Sequence, residues 1–121
     1  MTTVALTLPE PPSSNRYWRH GQGRTYLSPE AKQYRDDVMK AYLTIHGGKI
    51  AFPTGLVEIR LEWHRGRKSG DLDNRIKQVL DSLQKLAYHN DGQIAAITAV
   101  RYEAPKKGKL RVWISPYEVT P

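Results

Sequence analysis

Cysteine is absent from this 121-residue chain. Disulfides, thiolate metal sites and cysteine nucleophiles are therefore excluded. Histidine is scarce as well. His20, His46, His64 and His89 stand apart, with neither HxxxH nor HxH spacing, so no zinc centre is expected. Apolar runs extend over only a few residues, far short of a membrane span. The opening MTTVALTLPEPP lacks the basic start and apolar stretch of a secretory signal, which makes the cytoplasm the expected compartment. There is no internal repeat and no low-complexity tail. Acidic residues are few: 12 Asp and Glu stand against 19 Lys and Arg, a formal net charge of +7. In so small a protein that imbalance is the footprint of a polyanion partner. The basic residues fall mostly in expected loops and strand edges rather than on an amphipathic helix, which favours nucleic acid over a lipid surface.

What is present reads as one domain over residues 1–121. TVALTL (3–8) alternates Val4, Leu6 and Leu8 and predicts a strand, stopped by Pro9, Pro11 and Pro12. A long loop, SSNRYWRHGQGRT, follows. Ser28 and Pro29 predict an N-cap and first helical residue. Ala31, Tyr34, Val38, Ala41, Tyr42 and Ile45 then recur at helical spacing, up to a glycine cap at Gly47 or Gly48. GLVEIRLEW alternates strictly, with Val57, Ile59, Leu61 and Trp63 facing in. From about Asp73, the residues Ile76, Val79, Leu80, Leu83 and Leu86 mark a second amphipathic helix. HNDG reads as a turn, QIAAITAVRYEA as a strand, PKKGK as a basic hairpin turn and LRVWIS as the last strand. The order is β-α-β-α-β-β. It predicts an α/β (α+β) two-layer sandwich: a small four-stranded mixed sheet with both helices on one face.

Against the basic background, SGDLDNRIK puts Asp71 and Asp73 two residues apart before a helix. In extended backbone their side chains point the same way, while Leu72 points into the core. Two such charges repel unless a cation lies between them. The helix N-terminus offers only about half a positive charge. A hard divalent ion is the better partner, since magnesium takes a few carboxylate oxygens and leaves sites for phosphate or water. The plainer alternative is N-capping by one of the two. Lys77 lies four residues after Asp73, and Asp81 four after that, which is also the spacing of a surface ion-pair ladder. Asp91 follows Asp73 by 18 residues within HNDG, where Asp is an ordinary turn former. Spacing alone leaves open whether Asp91 returns to Asp71 in its own chain, reaches a second subunit, or does neither. A nuclease must attract phosphate yet hold metal, so it tends to be basic at large and acidic at one point. Lys77 could then steady phosphorane charge or orient the attacking water.

Basic and aromatic residues supply candidate DNA contacts. Asn15, Arg16, Tyr17, Arg19 and Arg24 lie in the first long loop. Arg65, Arg67 and Lys68 precede the two aspartates, and Arg75 follows them. Arginine grips phosphate bidentately, and aromatic rings can stack on unpaired bases.

The segments DLDNRIKQVLDSL, LPEPPSSNRYWRHGQGRTYLS and NDGQI, in this chain's order, resemble the RusA-type Holliday junction resolvases. The resemblance covers nearly the whole chain. It implies a small mixed α/β fold and a homodimeric endodeoxyribonuclease, largely of phage or prophage origin, acting in DNA recombination and repair. It implies paired symmetric cuts in a four-way junction. It further implies that Asp71, Asp73 and Asp91 bind Mg²⁺, with Mn²⁺ a possible substitute, and that Lys77 is the catalytic lysine. A two-fold enzyme suits paired cuts in a two-fold substrate. The alternatives are a non-catalytic nucleic-acid-binding homodimer, with the acids as caps and salt-bridge partners, and a metal-dependent nuclease on other branched DNA or on RNA.

Overall fold

The computed structural model describes residues 3–12, 18–21, 23–66, 72–104 and 108–118. Its elements are β1 (Val4–Leu8), β2 (Trp18–Gly21), β3 (Arg24–Leu27), α1 (Pro29–His46), β4 (Val57–Arg65), α2 (Leu72–Leu83), a 3₁₀ turn (Asp91–Gln93), β5 (Ile94–Glu103) and β6 (Lys109–Pro116). The main sheet has the order β1-β6-β4-β5. β6 pairs antiparallel with β1 and β4, whereas β4 and β5 run parallel. The expected α+β fold with its four-stranded mixed sheet and two helices is present.

The alternating strands do what their patterns dictate. Val4, Leu6 and Leu8 of β1, Val57, Ile59, Leu61 and Trp63 of β4, and Leu110, Val112 and Ile114 of β6 are all buried. They join Tyr34, Val38 and Tyr42 of α1 and Val79 and Leu83 of α2 in one core. Glu58 and Arg60 on β4 stay exposed on the opposite face.

α1 begins and ends as its sequence requires. The Ser28 hydroxyl accepts the Ala31 N–H at 3.1 Å, Pro29 opens the helix, and Gly47 closes it at φ 66°. At that φ a side chain would be strained. The Tyr42 hydroxyl then fastens the exit: it donates to the Lys49 carbonyl at 2.6 Å and accepts the Ala51 N–H at 3.0 Å.

Three local expectations differ. The stretch read as one long loop contains the β2–β3 hairpin, paired from Trp18↔Leu27 to Gly21↔Arg24 and turning through Gly23 at φ 75°. The second helix stops at Leu83, not Leu86. Lys85 takes φ 70°, and its N–H bonds the Tyr88 carbonyl, while Gln84 bridges to Tyr88. Leu86 still packs against the core, which is why the apolar spacing ran past the helix end. Ile45 continues the spacing of α1 but is 56% exposed.

Candidate active site

The parallel β4-α2-β5 unit decides where the candidate catalytic residues lie. β4 ends at Arg65, and α2 starts at Leu72. The Arg75 guanidinium, in the first turns of α2, sits 5.1 Å from the centre of the Trp63 ring. The start of α2 therefore lies at the Trp63 end of the sheet. The chain then descends through α2 and re-enters the sheet at Ile94, which pairs with Val57, the first residue of β4. Asp91 is three residues before Ile94. Val57 and Trp63 are six strand residues apart, which is about 20 Å. Within one chain, then, Asp91 and the N-terminal end of α2 lie at opposite ends of the sheet.

Asp73 is the second residue of α2, and its side chain lies outside the described atoms; Asp71 lies outside the described residues. Lys77 is exposed on α2 and approaches Asp81 at 4.0 Å, so one rung of the expected ladder exists.

Asp91 opens the 3₁₀ turn, and the turn does not use its carboxylate. The cap is Asn90, whose Oδ1 accepts the Gly92 N–H at 2.9 Å. Gln93 completes a capping box and ties the turn down. Its Oε1 accepts the His89 and Asn90 N–H groups at 2.7 and 3.3 Å, and its Nε2 donates to the Phe52 and Gly55 carbonyls at 2.9 and 3.0 Å. Among the described residues the exposed Asp91 carboxylate has no hydrogen bond or ion pair. A hard-oxygen donor held on a fixed turn with free lone pairs fits a magnesium ligand. Sequence reasoning treated NDGQI as a motif but missed Gln93 as its anchor.

The candidate DNA contacts fall into three groups. Asn15, Arg16, Tyr17, Arg67 and Lys68 lie outside the described residues. Arg19 is on β2 and Arg24 on β3, by their backbones. Arg65 and Arg75 are placed in full, and both have internal partners. Arg65 makes a two-pronged pair with Glu103 at 3.1 and 2.7 Å. Arg75 donates to the Pro11 carbonyl and covers Trp63. Burial draws the Arg75 guanidinium below its ordinary value; Glu10 opposes that, Arg65 adds to it, and Tyr34 opposes it. An arginine so placed stays charged.

A cluster that sequence reasoning missed adjoins this end. Glu10, in the proline segment after β1, accepts the Trp63 indole N–H at 2.9 Å and the Gly66 N–H at 3.2 Å. These partners are 53 and 56 residues away in sequence, and no local signal joins them.

The edge of β5 opposite β4 carries no strand among the described residues. Ile97 and Tyr102 on this ten-residue strand are 46% and 42% exposed. No helix among the described residues is long and apolar enough to cross a membrane.

Residues 9–115 match the family model described as endodeoxyribonuclease RusA. A crossover junction endodeoxyribonuclease RusA of Shigella sonnei (strain Ss046) is 40% identical over 121 residues, covering 95% of this chain and 96% of that protein. The protein of the same name from Escherichia coli (strain K12) is equally similar over the same shares. One from Enterobacteria phage 82 is 38% identical over 118 residues, again covering 95% and 96%.

Proposed function

The chain belongs to the RusA endodeoxyribonuclease family, and from that premise we propose that it resolves four-way DNA junctions as a magnesium-dependent homodimer. The observation that carries this reading is the family match over residues 9–115, which takes in DLDNRIK and the Asp91 turn together. The substrate follows from the relatives, which are named crossover junction endodeoxyribonucleases.

Asp71, Asp73 and Asp91 would hold the ion, and Lys77 would face the phosphate. A bound magnesium supplies charge neutralisation at the scissile phosphate and a water of lowered pKa. The protein's own part is to hold three carboxylates together against their repulsion and to steer DNA there with its net charge of +7.

The separation of Asp91 from the start of α2 gives the dimer a chemical purpose. In this reading each site takes Asp71, Asp73 and Lys77 from one protomer and Asp91 from its partner. The open β5 edge suits such an assembly. A long unpaired strand with exposed apolar residues is a liability unless covered. Antiparallel pairing of β5 with a second copy about a two-fold axis would carry each Asp91 toward the other protomer's α2. Two equal sites related by that axis would cut two opposed strands.

The test is a labelled four-way junction with and without Mg²⁺, using the native protein and Asp73→Asn. Paired symmetric nicks that require metal and vanish in the variant, with junction binding retained, are expected. Binding without cutting in either Mg²⁺ or Mn²⁺ by the native protein would sink the nuclease reading in favour of a binding module.

A further inference from the structure

We propose that a cleft beside the outer edge of β1 binds an unpaired nucleotide of single-stranded DNA, with Trp113 stacking on the base and Arg111 holding a phosphate. Such binding is separate from cutting and needs no metal. The main sheet turns one face to the core, where Leu6, Leu61, Val112 and their alternating neighbours meet both helices. The residues between them point the other way. The strand register puts Trp113 of β6 between Ala5 of β1 and Arg60 of β4, and Arg111 between Thr7 and Glu62. Ala5, Thr7, Arg60 and Arg111 are exposed, and Trp113 is half-buried.

β1 is an edge of the sheet, with no strand beyond it among the described residues. Past that edge α1 overhangs, and the two enclose a cleft of about 480 Å³. Ala5, Thr7, Thr44, Ile45, Arg111 and Trp113 line it. Clefts of this order hold small organic ligands. The cleft also accounts for Ile45, which keeps the helical spacing of core residues and yet is 56% exposed: it walls the cleft.

The chemistry of the walls selects a nucleotide. Trp63 is fully committed, with its indole N–H on Glu10 and its ring against Arg75. The Trp113 indole N–H has no partner among the described residues. Arg111 is similarly free. Glu62, its neighbour on β4, is taken by Arg60 at 3.0 Å, and Arg111 has no ion pair among the described residues. An accessible aromatic ring beside an unneutralised guanidinium is the pairing that holds single strands without reading their sequence. No carboxylate lines the cleft, and the net charge of +7 draws polyanions toward it. A second copy of the chain would fill the apolar walls but has to bring a carboxylate to Arg111, and with 12 acidic against 19 basic residues it is a poor source. The cleft lies at β1, three strand spacings, or about 14 Å, from β5. Substitutions there leave Asp73, Lys77 and Asp91 alone.

The experiment follows the anisotropy of a labelled oligo(dT) of about ten nucleotides in EDTA. It compares native protein with Trp113→Ala, Trp113→Phe, Arg111→Gln and Ile45→Glu. Trp113→Ala should weaken binding by about tenfold, the scale of one lost stack, and Trp113→Phe by less than about threefold. Arg111→Gln should lower the slope of log affinity against log salt by about one. An oligonucleotide with abasic sites in place of thymines should bind native protein about tenfold more weakly, while Trp113→Ala should distinguish the two probes by less than about twofold. If Trp113→Ala does not fold, Ile45→Glu carries the test from an exposed position, with a loss of about tenfold or more expected from a negative charge beside the phosphate. Native affinity in folded Trp113→Ala, or in Ile45→Glu, overturns the proposal. So does a shift of Trp113→Ala from dimer to monomer in sedimentation, which would give the cleft to a second copy. A native protein that binds the oligonucleotide as expected but leaves a four-way junction uncut in Mg²⁺ or Mn²⁺ counts against the nuclease reading and leaves the cleft standing.

Discussion

Gln93→Ala should separate the anchoring of the Asp91 turn from the chemistry of its carboxylate. Four hydrogen bonds disappear, to His89 N, Asn90 N, Phe52 O and Gly55 O. His89, Asn90 and Gly55 are exposed, so water replaces most of what is lost there. Phe52 is 8% exposed, and its carbonyl loses a partner in a drier place. At the low end of the usual net value per bond, the four sum to about 2 kcal/mol. For a domain of this size about 1 kcal/mol moves Tm by about 4 °C, so a fall of about 8 °C is expected at fixed protein concentration. The effect on cutting should be larger. Displacing a catalytic group by about 1 Å can cost about a hundredfold. Single-turnover cleavage of a saturating four-way junction, at a temperature where the variant is fully folded, should therefore fall by at least about tenfold. Native cutting in a destabilised Gln93→Ala would refute the idea that this turn delivers a catalytic carboxylate. An unchanged Tm would refute the bonding described for Gln93.

Lys77→Met should change stability by less than about 0.5 kcal/mol, because its 4.0 Å pair with Asp81 is an exposed helical one. It should nonetheless abolish most cutting; native-like cutting would return Lys77 to the surface ladder. Ile97→Lys, on the open β5 edge, should shift sedimentation from dimer toward monomer and lose cutting in step. An unaltered dimer would put the interface elsewhere. Tyr88 gives an alkaline signature. Burial first, then the charges of Asp91 and Asp81, push its hydroxyl above the ordinary 10.0. The folded state then keeps that proton where the unfolded state loses it, so this contribution is intact below pH 10.0 and fades as pH rises beyond it. Tyr88→Phe forfeits the 2.7 Å bond to the Leu80 carbonyl. It should lose about 1 kcal/mol near neutral pH. Its urea midpoint should then decline less steeply above pH 10.0 than that of the native protein, and an equal slope would contradict the assignment.

Where a few neighbouring residues determine conformation, the fold was legible. Ser28, Pro29 and Gly47 bound α1 from either side, and the alternation from Val57 to Trp63 named the buried face of β4. The β2–β3 hairpin escaped notice because its strands are four residues long and HGQGRT carries no apolar alternation. The end of α2 was misjudged because Leu86 keeps helical spacing, while Lys85, with no local signal for it, turns the backbone to positive φ. The two aspartates of DLDN were conspicuous as acid within a basic stretch. The place of Asp91 was not, because it depends on β4 and β5 pairing in parallel. That pairing is a long-range choice, and it puts the start of β5 at the far end of the sheet from α2's first turn. Glu10 was hidden for the same reason: its donors come from the other end of β4, reached only through tertiary packing.

The direct test of a shared site is complementation between two inactive variants. Asp73→Asn and Asp91→Asn should each form dimers that bind the junction without cutting it. Co-expressed with different tags and purified as a mixed dimer, they would place both substitutions in one site and leave the other with native Asp71, Asp73 and Asp91. Recovery of metal-dependent nicking on one strand at a time, absent from both parents, is the expected result. A mixed dimer as inactive as its parents, beside a native protein that cuts, would show that each protomer assembles its own site and would contradict the account.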